Sequence, residues 1–281
     1  MILHPCCKIN LGLNIVGKRN DGYHNLETVF YPVPLCDTLE LIDVGQYSAN
    51  PECYLEENGD KLDCTPQENL IVKAFKLLVK DFRLPSIRVK LTKRIPSQAG
   101  LGGGSSDAVY MLKLLNAFFK LNIEEEQLIG YAVRLGADCA FFIHSTPCFA
   151  SGIGDKLTPL DSRQISLNGY HIAIIKPDIA ISTKEAFSNI HPNTPMMSCE
   201  KSVQQPISEW KNILTNDFED SIFPSHPALK EIKRELYKQG ALYAQMSGSG
   251  SAIYGLFRKS PELSFRSFSN YFTFISPLTT L

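Results

Sequence analysis

Residues 96–106 read Pro96-Ser97-Gln98-Ala99-Gly100-Leu101-Gly102-Gly103-Gly104-Ser105-Ser106, and this run carries the clearest chemistry in the chain. Its four glycines can take positive φ and let a ligand approach the main chain. Ala108, Met111, Leu112, Leu115 and Phe119 then recur three or four apart, the spacing of a helix, so the glycines stand just before a helix start. The first amides of a helix have no partner within it, and the peptide dipoles favour negative charge there. An anion cradle is predicted, with a phosphate as its occupant. Ser105, Ser106 and Asp107 fall in the expected capping region. No Gly-Lys-Ser or Gly-Lys-Thr occurs, which excludes a Walker loop, and Gly102–Asp107 lacks the third glycine of a dinucleotide fingerprint. A flexible linker has the same composition but does not carry such a helix signal.

Three further places could contribute. Strand alternation puts Lys8, Asn10, Gly12 and Asn14 on one face, where a covered lysine would need an anionic partner and a covered asparagine would need hydrogen bonds. The same alternation suits the solvent side of an antiparallel sheet. Asp138 is the one charged residue between Arg134 and His144, just after a helix stop. Turn capping explains it as well as catalysis does when it is taken alone. With a phosphate loop and a strand lysine, it completes the set needed for phosphoryl transfer: cradle, charge stabiliser and base. Asn20-Asp21-Gly22 is a strong turn that presents Tyr23 and His24, a ring and an imidazole able to hold a base-like group or simply to pack.

The elements that must position these residues are legible in outline. Leu3 to Val16, Thr28 to Leu35, Thr38 to Val44 and Ile87 to Leu91 read as strands, and Asn69 to Phe82 reads as a helix. Glu124 to Leu135 reads as a second amphipathic helix stopped by Gly136. Gly152 to Ser166 is turn-rich and marks a lobe boundary, giving 1–155 and 156–281 as the two domains. Beyond it, His171 to Lys176, Leu242 to Gln245 and Ala252 to Phe257 read as strands, and Lys184 to Asn189 and Leu229 to Gln239 as helices. A second glycine turn, Met246-Ser247-Gly248-Ser249-Gly250, lies between the last two strands. Residues 191–208, with three prolines, read as an exposed loop.

Composition narrows the function. With 281 residues and 44% hydrophobic content the chain can bury one large core or two smaller ones. Its 28 basic and 29 acidic residues give a formal charge of −1, so no overall charge drives it toward nucleic acid or an anionic membrane. The eight cysteines, at 6, 7, 36, 53, 64, 139, 148 and 199, form no C-x-x-C pair and read as reduced, buried thiols. No apolar run approaches the roughly 20 residues needed to cross a bilayer, and the first residues do not read as a secretion signal. A cytoplasmic location is expected.

These motifs resemble the GHMP small-molecule kinases over nearly the whole chain. Pro96 to Ser106 is similar to the family's second motif and Ser247-Gly248-Ser249-Gly250 to its third. Lys8-Ile9-Asn10-Leu11 and Arg19-x-Asp21-Gly22-Tyr23-His24 resemble the branch that phosphorylates a cytidine diphosphate-linked polyol in the non-mevalonate route to isoprenoid precursors. The resemblance implies a two-lobed α+β fold, with a ribosomal S5 domain 2-like N-terminal lobe and a ferredoxin-like C-terminal lobe. It implies ATP and Mg²⁺ as cofactors and a small-molecule cytidine diphosphate substrate, with no nucleic-acid or membrane partner. It makes Lys8 and Asp138 the catalytic pair, and Pro96 to Ser106 the triphosphate loop. Asn10 would help to position the substrate, Tyr23 and His24 would hold the cytosine, and Thr183 and Phe187 would form the opposite wall. Asn69 is a candidate for the adenine pocket. After Gly136-Ala137-Asp138 the family usually has valine or a similar residue and then proline, whereas this chain has Cys139-Ala140, which predicts a looser turn.

Overall fold

A computed structural model describes residues 1–59, 65, 67–262 and 268–279. The chain opens with β1 (Ile2–Leu3), β2 (Cys6–Lys18) and β3 (His24–Cys36), followed by β4 (Thr38–Val44) and β5 (Cys53–Gly59). Helix α1 (Leu70–Val79), strand β6 (Ile87–Lys93) and helices α2 (Gly103–Phe119), α3 (Glu125–Leu135) and α4 (Phe141–His144) follow. By contacts the chain forms two compact units. The first comprises Met1–Cys7, Leu35–Ser97 and Gly102–Ser145, and the second Lys8–Pro34, Gln98–Leu101 and Thr146–Leu281.

The first unit is built on a sheet of order β1-β4-β6-β5. Leu39 pairs with Leu91 and Leu41 with Val89, which sets the apolar residues of both strands on a buried face. Strand β5 pairs parallel to β6 and was not foreseen, because its alternation ends in the charged run Glu56-Glu57. Helices α1 and α2 pack together, burying Phe75, Leu78, Leu112 and Leu115. Asn69 caps α1, its Oδ1 accepting from the Ile71 amide at 2.8 Å while its Nδ2 donates to Glu57. Helix α3 stops at Gly136, as its sequence predicts, and starts with a capping box between Glu124 and Gln127.

In the second unit β2 and β3 continue into β7 (Cys148–Ser151) and β8 (Lys156–Pro159), giving the order β2-β3-β7-β8. Strand β9 (His171–Lys176) precedes helices α5 (Thr183–Phe187), α6 (Cys199–Ser202), α7 (Ile207–Ile213), α8 (Asp217–Ile222) and α9 (Pro227–Lys238). Strands β10 (Tyr243–Met246), β11 (Ile253–Phe257) and β12 (Phe272–Pro277) complete an antiparallel sheet of order β10-β11-β9-β12. Its core joins Ile175, Phe218, Leu229, Leu236 and Met246 with Leu13 and Ile15 of β2.

The expected loop at 191–208 is a correction: it holds α6 and the first residues of α7, anchored by buried Cys199 and Val203. The prolines flank these short helices rather than forbid them, and Pro206 stands immediately before α7. The seven described cysteines are free thiols, and Cys64 lies outside the described residues. Among the described residues no helix is long and apolar enough to cross a membrane.

Candidate active site

Within the first unit, α2 begins at Gly103, and its N-cap, Gly102, is left-handed at φ 71° with no side-chain cap. This corrects the capping expectation, because Ser105, Ser106 and Asp107 lie inside the helix and Ser106 and Asp107 are buried. The first-turn amides are therefore left without a side-chain acceptor. A Cβ placed on Gly104 would meet only Leu70 Cδ1, at 3.9 Å, so the space above that turn is open. The Ser106 hydroxyl is buried without a hydrogen-bond partner. Open amides, open space and an unsatisfied hydroxyl fit a bound phosphate chain.

The helix start is fixed from below by a buried ionic cluster that sequence reasoning missed. Lys93, at the end of β6, donates to Asp107 Oδ2 at 2.8 Å and to Asp37 Oδ2. Asp37 Oδ1 also accepts from the Ile95 amide at 2.9 Å. Burial pushes the Asp107 carboxyl up to about 7, against the pull of the Lys93 ammonium. For Lys93 burial acts downward but is outweighed by Asp107 and then Asp37, so its pKa is raised. The polar positions in Lys93-Arg94-Ile95 and Asp37-Thr38 were the available signal, but pairing residues 56 positions apart needs the sheet register.

The turn carrying Asp138 belongs to the same unit. The Cys139 amide donates to the Gly136 carbonyl at 3.1 Å and Phe142 N donates to Cys139 O at 3.0 Å, closing the turn. The Cys139 side chain is buried. Burial pushes its thiol up to about 11, so it stays protonated near neutral pH. The turn is tight rather than loose, held by these main-chain bonds and by the packing of Cys139. Asp138 is half-buried, one residue before it.

Within the second unit, Lys8 is buried, which excludes the solvent-facing alternative. Its Nζ donates to Asn10 Oδ1 at 2.7 Å and to the Gly100 carbonyl at 3.1 Å, and it lies 4.9 Å from the Phe30 ring centre. Asn10 Nδ2 donates to Thr28 Oγ1 at 3.0 Å. Asn14 has a separate set of partners, Thr215, Asp217 and Cys199. Between Asn10 and Asn14 the chain passes Gly12 at φ 68°, where regular strand geometry is interrupted.

The second glycine turn supports residues 98–101. Ser247 Oγ donates to Gly100 O at 2.9 Å, and the Ala252 amide donates to Ala99 O at 3.2 Å. Gly100 has φ 73°, and a Cβ there would overlap the Ser247 carbonyl oxygen. Asn216 Nδ2 in turn donates to Met246 O and Gly248 O, both at 2.8 Å, and Glu219 accepts from Met246 N. Asn216 and Glu219 were not singled out from the sequence, where each is one polar residue among many.

The aromatic group is also in the second unit. Asp21 pairs with Arg19 and accepts from the Tyr23 amide, closing the turn that leaves Tyr23 62% exposed. The His24 ring stacks on Phe187, with centroids 4.9 Å apart and planes 20° apart, and Phe187 meets Phe218 edge-on. Rings that close are in direct contact, so His24 and Phe187 are brought together by the fold. Thr183 begins α5 and is exposed.

An uncapped helix start and a carboxylate-bearing turn within one unit suit phosphoryl transfer. Two family models match, GHMP kinases N terminal domain over residues 69–146 and GHMP kinases C terminal over 200–268. The chain belongs to the GHMP kinase family, and its mixed α+β fold is the fold of that family. It is 56% identical to the 4-diphosphocytidyl-2-C-methyl-D-erythritol kinase of Bacteroides thetaiotaomicron over 94% of both chains. It is 50% identical to the enzyme of the same name from Bacteroides fragilis, over 99% of this chain and all of that one. A crystal structure of 4-(cytidine 5'-diphospho)-2C-methyl-D-erythritol kinase superposes with a TM-score of 0.81 at 29% identity, covering 98% of each chain.

Proposed function

We propose that the protein transfers the γ-phosphoryl group of ATP to the 2-hydroxyl of 4-diphosphocytidyl-2-C-methyl-D-erythritol, a step of the non-mevalonate route to isoprenoid precursors. The observation that carries this reading is the start of α2: a helix N-terminus with no side-chain cap and open space at its first turn, in the same unit as the turn that holds Asp138. Kinship with enzymes named for that substrate supplies the acceptor.

In this reading the main-chain amides of residues 96–106 hold the triphosphate, and the dipole of α2 favours its charge. Asp138 accepts the proton of the attacking 2-hydroxyl, and Lys8 offsets charge that grows in the transition state. Asn10 orients the Lys8 ammonium and the acceptor. When bound to the phosphates held there, Mg²⁺ would supply positive charge that offsets theirs. Tyr23 offers an exposed ring to one face of the cytosine, and His24, Thr183 and Phe187 complete the base pocket, His24 moving off Phe187 to admit the base. Residues 1–155 serve the nucleotide and 156–281 form the second domain, in a cytoplasmic enzyme whose partners are small molecules rather than nucleic acid or membrane.

The test offers the protein ATP with one alcohol at a time. ADP release is expected with 4-diphosphocytidyl-2-C-methyl-D-erythritol and not with mevalonate or homoserine, and phosphorus NMR of the product should show a phosphomonoester at the 2-position. ADP release with mevalonate alone would overturn the assignment. Tyr23→Ala should raise the KM for the cytidine substrate about tenfold with kcat nearly unchanged, the mark of lost uniform binding.

A further inference from the structure

Phe187 is the last residue of a five-residue helix, and a helix that short does not hold itself together in water. Its position must come from what grips it. Two contacts reach α5 from the α8–α9 segment. One is the edge-on packing of Phe218 against the Phe187 ring, at 4.9 Å. The other is His226, whose Nε2 lies 2.7 Å from Glu185 Oε1. His226 is the N-cap residue of α9 but makes no side-chain cap bond, and its amide donates to Ile222 O at the end of α8. Its ring is therefore directed away from its own helix, and it takes hold of α5 two residues before Phe187.

From this geometry we infer that the His226–Glu185 pair is a positioning clasp that sets Phe187 for recognition of the substrate's base. The proposal rests on the base-stacking role given to Phe187 above. Neither residue touches the reacting atoms. The other grips are the His24 stack on Phe187, the burial of Ala186 in the core, and two local bonds, in which Ser182 Oγ accepts from the Glu185 amide and Ser188 Oγ donates to the Glu185 carbonyl. Among them the His226–Glu185 pair is the ionic contact that ties α5 to the α8–α9 segment. The pair is partly exposed, at 25% and 38% of side-chain surface, so its effect is moderate and specific rather than a general loss of stability.

The test measures KM for the cytidine substrate, KM for ATP, and kcat in five variants. His226→Leu and Glu185→Leu should each raise the cytidine-substrate KM about fivefold, with kcat and the ATP KM within about twofold of wild type. The double variant should be no worse than either single change, because both remove one interaction. His226→Gln, whose amide can still donate to Glu185, should restore the KM to within about twofold. Phe187→Ala separates the two levels of the proposal. If it raises the substrate KM and the leucine variants do not, the clasp is refuted and base stacking stands. If Phe187→Ala leaves that KM unchanged, base stacking falls and the clasp with it. Should His226→Leu unfold, Glu185→Leu with His226→Gln still decides, since a purely structural effect would move kcat and both KM values together.

Discussion

The run Gly102-Gly103-Gly104 and the turn Ser247-Gly248-Ser249-Gly250 are alike in composition and opposite in how their polar groups are used. At the first, the helix start has no side-chain cap, and a buried hydroxyl at Ser106 is unsatisfied. At the second, the Met246 and Gly248 carbonyls are bound by Asn216, the Met246 amide by Glu219, and the Ser247 hydroxyl by the Gly100 carbonyl. A glycine-rich sequence can serve as a ligand site where it opens an uncapped helix, and serves as scaffold where its carbonyls are bound by other side chains. The accounting of main-chain partners separates the two, which composition does not.

That contrast can be broken from the scaffold side first. Gly100→Ala adds a Cβ at positive φ against the Ser247 carbonyl, and should cost more than about 3 kcal/mol or prevent folding, read by denaturant unfolding. Asn216→Ala leaves two buried carbonyls unpaired and removes the cap that accepts from Phe218 N, for an expected loss of about 2–4 kcal/mol. The surviving folded fraction should bind ATP as wild type does. A large fall in ATP affinity with unchanged stability would contradict the scaffold role. On the ligand side, Gly102→Ala forces an L-residue to φ 71° and should cost about 1–2 kcal/mol, while weakening ATP binding about tenfold by calorimetry.

The smallest effect concerns the cluster beneath α2. Asp107 has a folded pKa of about 7, above its ordinary value of 3.8, so the folded protein binds more protons than the unfolded chain between those values. The stability tied to this group is complete below about pH 4 and is lost as pH rises through about 7. Wild type should therefore lose stability relative to Asp107→Asn between about pH 5 and about pH 8, with no further change above. A difference that stays flat across that range would show that Asp107 is charged throughout.

Much of this was legible in the residues because local signals sufficed. Thr38–Val44 and His171–Lys176 alternate or run apolar in lengths only strands explain, and both appear with those bounds. Gly136 marked the end of α3. The loop 96–106 was readable because glycines, serines and a helix period are adjacent in sequence. What escaped needed distance. The Lys93–Asp37–Asp107 cluster joins β6, α2 and the residue between β3 and β4, Asn216 reaches 30 positions along the chain to its carbonyl, and α6 and α7 depend on tertiary burial of Cys199 and Trp210 among prolines. The His24–Phe187 stack joins residues whose types were noticed but whose contact no spacing encodes.

The central claim is that α2 binds nucleotide phosphates through main-chain amides while Asp138 supplies the base. Asp138→Asn tests both halves in one protein. ATP affinity by calorimetry should stay within about twofold of wild type, since Asn keeps the turn's size and polarity, while kcat should fall at least about a thousandfold. Turnover within tenfold of wild type at unchanged ATP affinity would contradict the account.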